Sequence, residues 1–471
     1  MAKAGRVAAT AALVVVLAGG AYVTADAYDL VPGVVTLAPV PSPAAPFPTA
    51  PGALMPTADA APALEELDPQ APVPDDARVQ QLVDGLVADT RMGSSVGVLV
   101  ADQLTGDTVA AHLPTQGRIP ASTAKLVMAV ASMTALGADT TLPTQAVRGA
   151  GDSVVLVGGG DMMLAAGKGS SAAVVGHAGL ADLARQTAKK LRLQGLTTVH
   201  LGLDDSLFTG PTVSPGWHPD YLTGGFAAPV TAVAVDIAKT REGEYVPRWP
   251  DPSMQAARTF ATRLAENGIT VVGSPTRTSA PDSAQVLGEV RSAPLGQVLQ
   301  YTLETSDNTI AEVLARLVAV HEGLPATFEG GAKADLLVLQ GLGLDTTAAV
   351  LADASGLADG SVLPPDLLAG LLRLVTDPDQ PALRPIAVGM PIGGLTGTLD
   401  DRFTQSPARG LVRAKTGSLS HVTSLAGTVQ TADGRQLVFV VMADKTPDGG
   451  QDAPRRAIDA FVTSLAGCGC R

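Results

Sequence analysis

Leu126, Val127, Met128, Val130, Ala131, Met133 and Leu136 follow one another with hardly a polar break. An apolar run of that length with no polar stripe predicts a helix buried on nearly every side. Pro120 suits the start of such a helix, Ser or Thr suits its first turn, and Gly137 supplies its stop. Elsewhere the period changes. Val96 to Val100 and Thr108 to Leu113 predict two strands around a Gly-Asp turn, and His421 to Gln430 and Gln436 to Ala443 alternate as a hairpin. Helical spacing marks Asp76 to Ala88, Pro294 to Glu304, Thr309 to Val320 and a closing helix from Arg455 to Leu465. The middle of the chain mixes both periods. Ser153 to Val157, Thr198 to Leu203 and Ile269 to Val272 read as strands, and Leu180 to Leu193 and Met254 to Glu266 as helices.

Strands therefore open and close the chain, with helices between them. A strand pair from each end builds one antiparallel sheet with the buried helix beside it, an α+β arrangement. The middle reads as a separate α/β-like insertion. The expected organisation is a folded part in two pieces, 76–141 and 289–466, interrupted by inserted residues 142–288 and followed by a tail, 467–471.

Composition adds what surrounds this core. Among the 471 residues 46% are hydrophobic but only 3% aromatic, so Ala, Val, Leu and Gly carry the burial. A net charge of −13 and the lack of a basic run argue against nucleic acid or an anionic membrane surface as partner. Lys3 and Arg6 precede an uncharged apolar run, Val7 to Val23, and Ala25-Asp26-Ala27 offers a small-x-small cleavage pattern. Residues 1–27 thus read as a signal peptide or a membrane anchor, the run being at the short limit for a span. Either way the remainder leaves the cytoplasm. Residues 28–75 are rich in Pro and Ala and read as a semi-extended linker. Cys468 and Cys470 fall in the tail, read as solvent-exposed and without structural weight, in no zinc pattern. The six histidines show no metal spacing, and no metal or cofactor is expected.

Ser122 lies three residues before Lys125, at the mouth of the buried helix. Residues three apart share a helix face, so Ser122 Oγ and Lys125 Nζ can meet. A lysine at the rim of a buried helix is partly desolvated, which favours its neutral, basic form. Ser-x-x-Lys alone is a common coincidence, also met in a capped helix with a solvated lysine. Two further motifs change its weight. Ser306-Asp307-Asn308 lies in the break between two predicted helices, and Lys415-Thr416-Gly417 starts a predicted strand. Each has an ordinary reading, interhelix loop chemistry for the first and an aggregation-resistant edge strand for the second. Their order along one chain is what makes coincidence improbable.

The trio Ser-x-x-Lys, Ser-x-Asn, Lys-Thr-Gly is the mark of penicillin-recognising serine transferases and hydrolases. A neutral lysine replaces histidine as base for an acyl-transfer serine. Lys415 near Lys125 is expected to depress its pKa further. Ser306 relays a proton to the leaving amine, and Asn308 fixes Lys125 and the substrate amide. Lys415 and Thr416 offer a charge and a hydroxyl to a terminal carboxylate, and Gly417 lets a peptide approach the strand. The backbone N–H groups of Ser122 and Ser418 form the oxyanion hole. Competing signals are weaker. Gly93-Ser-Ser-Val-Gly97 matches a nucleophile elbow, but a strand is predicted after it where a helix is needed. Gly158-Gly-Gly-Asp161 lacks the later residues of a nucleotide loop and reads as a strand-ending turn.

With these motifs in place, the chain resembles the class C low-molecular-mass penicillin-binding proteins of the D-alanyl-D-alanine carboxypeptidase/endopeptidase type. The resemblance runs from about residue 78 to 466 and includes "PASTAKLV", "GGGD", "SDNTIAE", "DASGL" at Asp353 to Leu357, and "GGLTGTLDDRF" before "RAKTGSLSHVTSLAG". The long interval between Ser122 and Ser306 fits a family that inserts extra domains at that point. The resemblance implies a transpeptidase/β-lactamase-like domain, an antiparallel sheet with flanking helices, carrying one or two inserted domains. It implies cleavage of terminal D-Ala from peptidoglycan stem peptides, with cross-link endopeptidase action left open, and covalent inhibition by β-lactams. Met162 where the family often has Pro, and the run after Ser355-Gly-Leu, depart from the pattern without touching the trio. A β-lactamase needs a positioned deacylating water, for which no separate Glu motif is seen, and a non-catalytic wall-binding protein has no need of three intact motifs.

Overall fold

A computed structural model describes residues 16–28, 30–31 and 68–469. The expected leader is therefore covered only from residue 16, and most of the Pro/Ala-rich stretch and Cys470 lie outside the described residues. The chain divides into a unit of residues 1–65 and a unit of residues 66–471. In the first, residues 16–27 are helical. No helix among the described residues is long and apolar enough to cross a membrane. All that follows concerns the second unit.

Its main sheet has five strands in the order β11-β12-β13-β1-β2, all neighbours antiparallel. β1 (Val96–Asp102) and β2 (Thr108–His112) come from the start of the chain. β11 (Val412–Leu419), β12 (Val422–Gln430) and β13 (Gln436–Ala443) come from its end. Three late strands, one more than the hairpin alone predicts, join two early ones, with Val96 facing Ala443 and Asp102 facing Leu437. Side chains alternate across a strand, and the two faces feed two cores. Val96, Val98, Val100, Phe439 and Val441 pack with the helices α1 (Asp76–Ala88) and α9 (Asp452–Ala466). Leu99, Ala101, Val438, Val440 and Met442 pack with α2 (Lys125–Leu136) and α8 (Pro365–Thr376). Each fully buried Val, Leu or Phe here contributes about 1.5–3 kcal/mol of transfer free energy. A strand follows Gly93-Ser-Ser-Val-Gly97, as expected, so no nucleophile elbow forms.

α2 is the central helix. Leu126 to Val130 are at most 1% exposed, and even Lys125 is fully buried. Gly137 ends it, its N–H donating to Met133 O. Around it lie α5 (Leu295–Thr305), α6 (Asn308–His321), α7 (Phe328–Gly341) and α8. α7 and α8 are not among the expected elements. Gly330 and Gly331 in the first turn of α7 weaken its helical signal. Tertiary contact supplies what propensity lacks, together with the Thr327 hydroxyl that accepts the Gly330 N–H at 3.0 Å.

A second sheet occupies the middle of the chain. Its strands are β3 (Pro143–Arg148), β4 (Ser153–Gly158), β6 (Thr198–Asp204), β8 (Thr270–Val271), β9 (Thr276–Arg277) and β10 (Val286–Arg291). The order is β10-β3-β4-β6-β8, with β9 also on β6. α3 (Leu180–Leu193) and α4 (Pro252–Glu266) make the crossovers that its parallel pairs require. This segment is not a detached lobe. β5 (Asp161–Leu164) pairs with β7 (Val233–Val235), and Met162, Met163, Trp217, Ala227, Val230 and Ala234 enter the same core as α2 and α6. The Gly158-Gly-Gly-Asp161 turn joins β4 to β5 at that junction.

Cys468 corrects the reading of an exposed tail: it is buried and disulfide-bonded. A polar tie at the sheet is also buried. Arg435 grips Asp102, Nε reaching Oδ1 at 3.0 Å and Nη2 reaching Oδ2, while Nη1 donates to the carbonyls of Pro69 and Ala71. Both side chains are nearly excluded from solvent. Replacing Arg435→Ala strands the Asp102 carboxylate and is expected to lower unfolding free energy by about 3–5 kcal/mol in a denaturant titration.

Candidate active site

Ser122 sits in a single 3-10 turn, Ala121–Ala124, that leads into α2. It does not cap the helix with its side chain. Ala121 is held at φ 46°, in the left-handed region that costs an L-residue strain. The structure explains why that strain persists. Gly356 lies against the turn so closely that a Cβ there would stand 1.9 Å from Ala121 O. On the other side a Cβ at Gly417 would stand 2.0 Å from Ser424 Oγ and 2.6 Å from Pro120 O. Gly417 thus makes room for the serine turn itself, an addition to its expected role of admitting a peptide. Ser424 Oγ donates to Pro120 O at 2.8 Å and ties the turn to β12.

Lys125 follows one turn later. Its Nζ has three oxygen neighbours: Ser122 Oγ at 2.9 Å, Asn308 Oδ1 at 2.7 Å and the Ser355 carbonyl at 2.8 Å. A neutral amine has two N–H bonds and one lone pair. The carbonyl oxygens of Asn308 and Ser355 can only accept, so they take both N–H bonds. The hydroxyl of Ser122 must then donate to the lone pair, which is the arrangement of a nucleophile with its base. Burial lowers the Lys125 pKa to about 8, against the opposing pull of Asp353, Glu312 and Asp307. The lysine is thus wholly buried rather than at a rim, which sharpens the expected effect.

Asn308 and Ser306 come from the break between α5 and α6. Ser306 ends α5 in the left-handed conformation, φ 58°. Asp307 caps α6, its side chain accepting the Ile310 N–H at 2.8 Å, and Asn308 is the first helical residue. Asn308 Nδ2 donates to the Phe226 carbonyl at 2.9 Å, which fixes the amide so that Oδ1 faces Lys125. Ser306 Oγ accepts from Lys415 Nζ at 2.8 Å.

Lys415, Thr416, Gly417 and Ser418 lie on β11, the edge strand, within the strand rather than at its start. Along an antiparallel strand the N–H and C=O of one residue point to the same side, and sides alternate. Ala414 N–H donates outward to Pro391 O at 3.0 Å. Thr416 and Ser418 therefore direct their backbone groups to that same outer edge, where Lys415 Nζ donates to Thr416 O at 3.0 Å. Thr416 Oγ1 shares a hydrogen bond with Thr398 Oγ1 at 2.8 Å, and Ser418 Oγ accepts from Arg455 at 2.9 Å. Lys415 is also fully buried, and its pKa lies well below the ordinary value because of burial and the charge of Lys125. Repulsion between two ammonium groups is reciprocal: burial and that repulsion lower the Lys415 pKa, while three acids pull the other way on Lys125.

All eight residues expected at the site converge here. Four contributors were not assigned roles by sequence reasoning: Ser355, which lends a carbonyl; Phe226, which lends another; and Asp353 and Glu312, which hold the Ser355 loop. The "DASGL" pattern was a visible signal for two of them. A carbonyl such as that of Phe226 leaves no signal, because any residue type supplies one.

This site, on an antiparallel sheet with flanking helices, defines the class as an active-site-serine peptidase. The chain belongs to the D-Ala-D-Ala carboxypeptidase 3 (S13) family, which it matches over residues 79–248 and 237–466. It is 35% identical to a carboxypeptidase of Mycobacterium tuberculosis over 448 residues, 93% of this chain and 91% of that one. It is 34% identical to carboxypeptidase DacB of Mycolicibacterium smegmatis, over 88% and 89% of the two chains. The fold is that of penicillin binding protein 4 (dacB) from Haemophilus influenzae, with a TM-score of 0.68 at 24% identity, covering 81% of this chain and 98% of that one.

The contact at Gly356 yields a test of the geometry. Gly356→Ala, at φ 74° and against Ala121 O, displaces the serine turn. The expected result is a loss on the order of 100-fold in the rate of covalent labelling by penicillin. The measurement is the time course of intact mass, with circular dichroism to verify folding.

Proposed function

We propose that the protein is a serine-type D-Ala-D-Ala carboxypeptidase that acts on peptidoglycan stem peptides through an acyl-enzyme on Ser122. The observation that carries this reading is the buried Lys125 Nζ within 2.9 Å of Ser122 Oγ and donating to Asn308 Oδ1 and the Ser355 carbonyl, so that in its neutral form the lone pair is left for the Ser122 hydroxyl.

In this reading the stem peptide lies along the outer edge of β11, adding a strand to the sheet. Its terminal carboxylate meets the Lys415 ammonium and the Thr416 hydroxyl. A carboxylate beside Lys415 favours the charged form of that lysine, and repulsion then favours the neutral form of Lys125. Ser122 Oγ attacks the carbonyl carbon of the penultimate D-Ala while its proton passes to Lys125 Nζ. The oxyanion is held by the N–H groups of Ser122 and Ser418. The C–N bond breaks, and the leaving amine takes a proton by way of Ser306. Water, deprotonated by Lys125, then attacks the ester, releases the shortened peptide and restores Ser122. A β-lactam forms the same ester, but its amine stays tethered.

A cross-link whose leaving amine belongs to a neighbouring stem undergoes the same chemistry, so endopeptidase action is the second expected activity. Residues 76–141 and 289–466 are proposed as the catalytic domain and 142–288 as its inserted part. The place of action is outside the cytoplasm, where residues 1–27 serve as leader or anchor.

Intact-mass measurement of the soluble domain with penicillin tests this directly. A persistent one-drug adduct is expected, abolished in Ser122→Ala together with release of D-Ala from a D-Ala-D-Ala peptide. A mutant that retained hydrolysis would sink the assignment, and a transient adduct with drug turnover would point to a β-lactamase. The pH profile supplies a second test. Lys125 is protonated below about 8, and only its neutral form accepts the serine proton. Acylation is therefore expected to rise about tenfold per pH unit up to about pH 8 and level off above it. A flat profile between pH 6 and 8 would count against Lys125 as the base.

A further inference from the structure

The Ser355 carbonyl is one of the two acceptors that orient Lys125, yet it belongs to a loop. Its position depends on two buried acids. Glu312, on α6 and 1% exposed, accepts the Ser355 N–H on Oε1 at 2.8 Å and the Ala354 N–H on Oε2 at 3.3 Å. Asp353, fully buried, accepts the Gly356 N–H on Oδ1 at 2.8 Å. Its Oδ2 accepts from Ala358 N at 2.8 Å, Ser355 Oγ at 2.9 Å and Trp217 Nε1 at 2.8 Å. Asp353 thus ties the loop to itself and to the inserted segment. Glu312 ties it to the helix that also begins with Asn308. One rigid helix therefore sets both acceptors on Lys125, Asn308 directly and Ser355 through Glu312.

We propose that Glu312 is a positioning residue for acylation, holding the Ser355 carbonyl on Lys125 so that the amine lone pair is aimed at Ser122 Oγ. This rests on the reading of Ser122 as nucleophile and Lys125 as base. Two buried acids for one loop is a costly arrangement if anchoring were the whole purpose, since an unpaired buried carboxylate is expensive. Their placement beside a buried ammonium gives the charge a partner. Lys125 faces Asp353, Glu312, the α6 cap Asp307 and, from β11, Lys415. Glu312 faces Asp353, Arg316 one turn along α6, and Asp335 on α7. Burial, and after it the Glu312 charge, push the Asp335 pKa well above the ordinary carboxylate value. Burial and the Asp353 charge push the Glu312 pKa up to about 8, the range in which Lys125 titrates, so Glu312 has two separable effects: its oxygens fix the loop, and the charge it carries favours the Lys125 ammonium.

Two substitutions separate them. Glu312→Gln keeps an oxygen for the Ser355 N–H, gives up the longer bond from the Ala354 N–H, and removes the charge. Glu312→Ala removes both. The assay is penicillin acylation of the full soluble enzyme between pH 5.5 and 9.5, resolved into initial binding and the acylation rate at saturation, with thermal melting of each variant. The expected result for Glu312→Gln is a maximal rate within a few-fold of wild type, with the rising limb moved to lower pH. For Glu312→Ala it is a loss on the order of 100-fold in the maximal rate, with initial penicillin binding unchanged. A Gln variant whose limb stays in place, or an Ala variant that is folded and acylates normally, would overturn the proposal. If Glu312→Ala does not fold, the Gln limb decides alone. Failure of the underlying reading looks different, since wild type itself would then give no adduct on Ser122.

Discussion

The site depends on one desolvated amino group. Lys125 Nζ lies inside the protein with three oxygens at 2.7–2.9 Å, and burial makes its charged form expensive. An amine in that position can offer a free lone pair near neutral pH because the protein declines to solvate its ammonium, and it is directional because its neighbouring carbonyls take its N–H bonds. Much of the surrounding architecture serves those two conditions. α2 is apolar on all sides so that its first residue can be buried. α5 breaks at Ser306 so that α6 begins with Asn308. The Ser355 loop crosses at a distance that a glycine at 356 alone permits.

Charge is arranged around this amine with the same economy. Two buried lysines, Lys125 and Lys415, are set against Glu312 and Asp353, also buried. Burial and the charge of Lys125 weaken the hold of Lys415 on its proton, and in the proposed mechanism a ligand carboxylate beside it offsets this. The fold keeps the two lysines on different elements, a helix start and an edge strand. The outer edge of β11 is covered at Ala414 by Pro391, and the backbone groups of Thr416 and Ser418 face that same edge, where the stem peptide is proposed to lie.

Residues 142–288, proposed as an insertion, contact this site. The Phe226 carbonyl fixes the Asn308 amide, and Trp217 holds Asp353. The segment also shares its apolar side chains with the core of α2 and α6. Its long sequence interval suggests an appendage. In the folded chain its residues reach the Asn308 amide and the loop that accepts from Lys125.

The sequence by itself determined the periodic elements and the chemistry of the trio. The buried helix at Lys125–Leu136, the strands at either end of the chain, and the convergence of Ser122, Lys125, Ser306, Asn308 and Lys415 follow from apolar spacing and from motifs with few alternative uses. Helix α7 was illegible because two early glycines suppress its local signal, and tertiary contact overrides propensity there. The complete burial of both lysines, the contacts of Glu312 and Asp353 with the Ser355 loop, and the carbonyls of Ser355 and Phe226 were decided only by the tertiary structure. A pKa depends on every charge within a few ångströms regardless of separation in sequence. A backbone carbonyl is the same group in every residue, so only its place in the fold makes it part of the site.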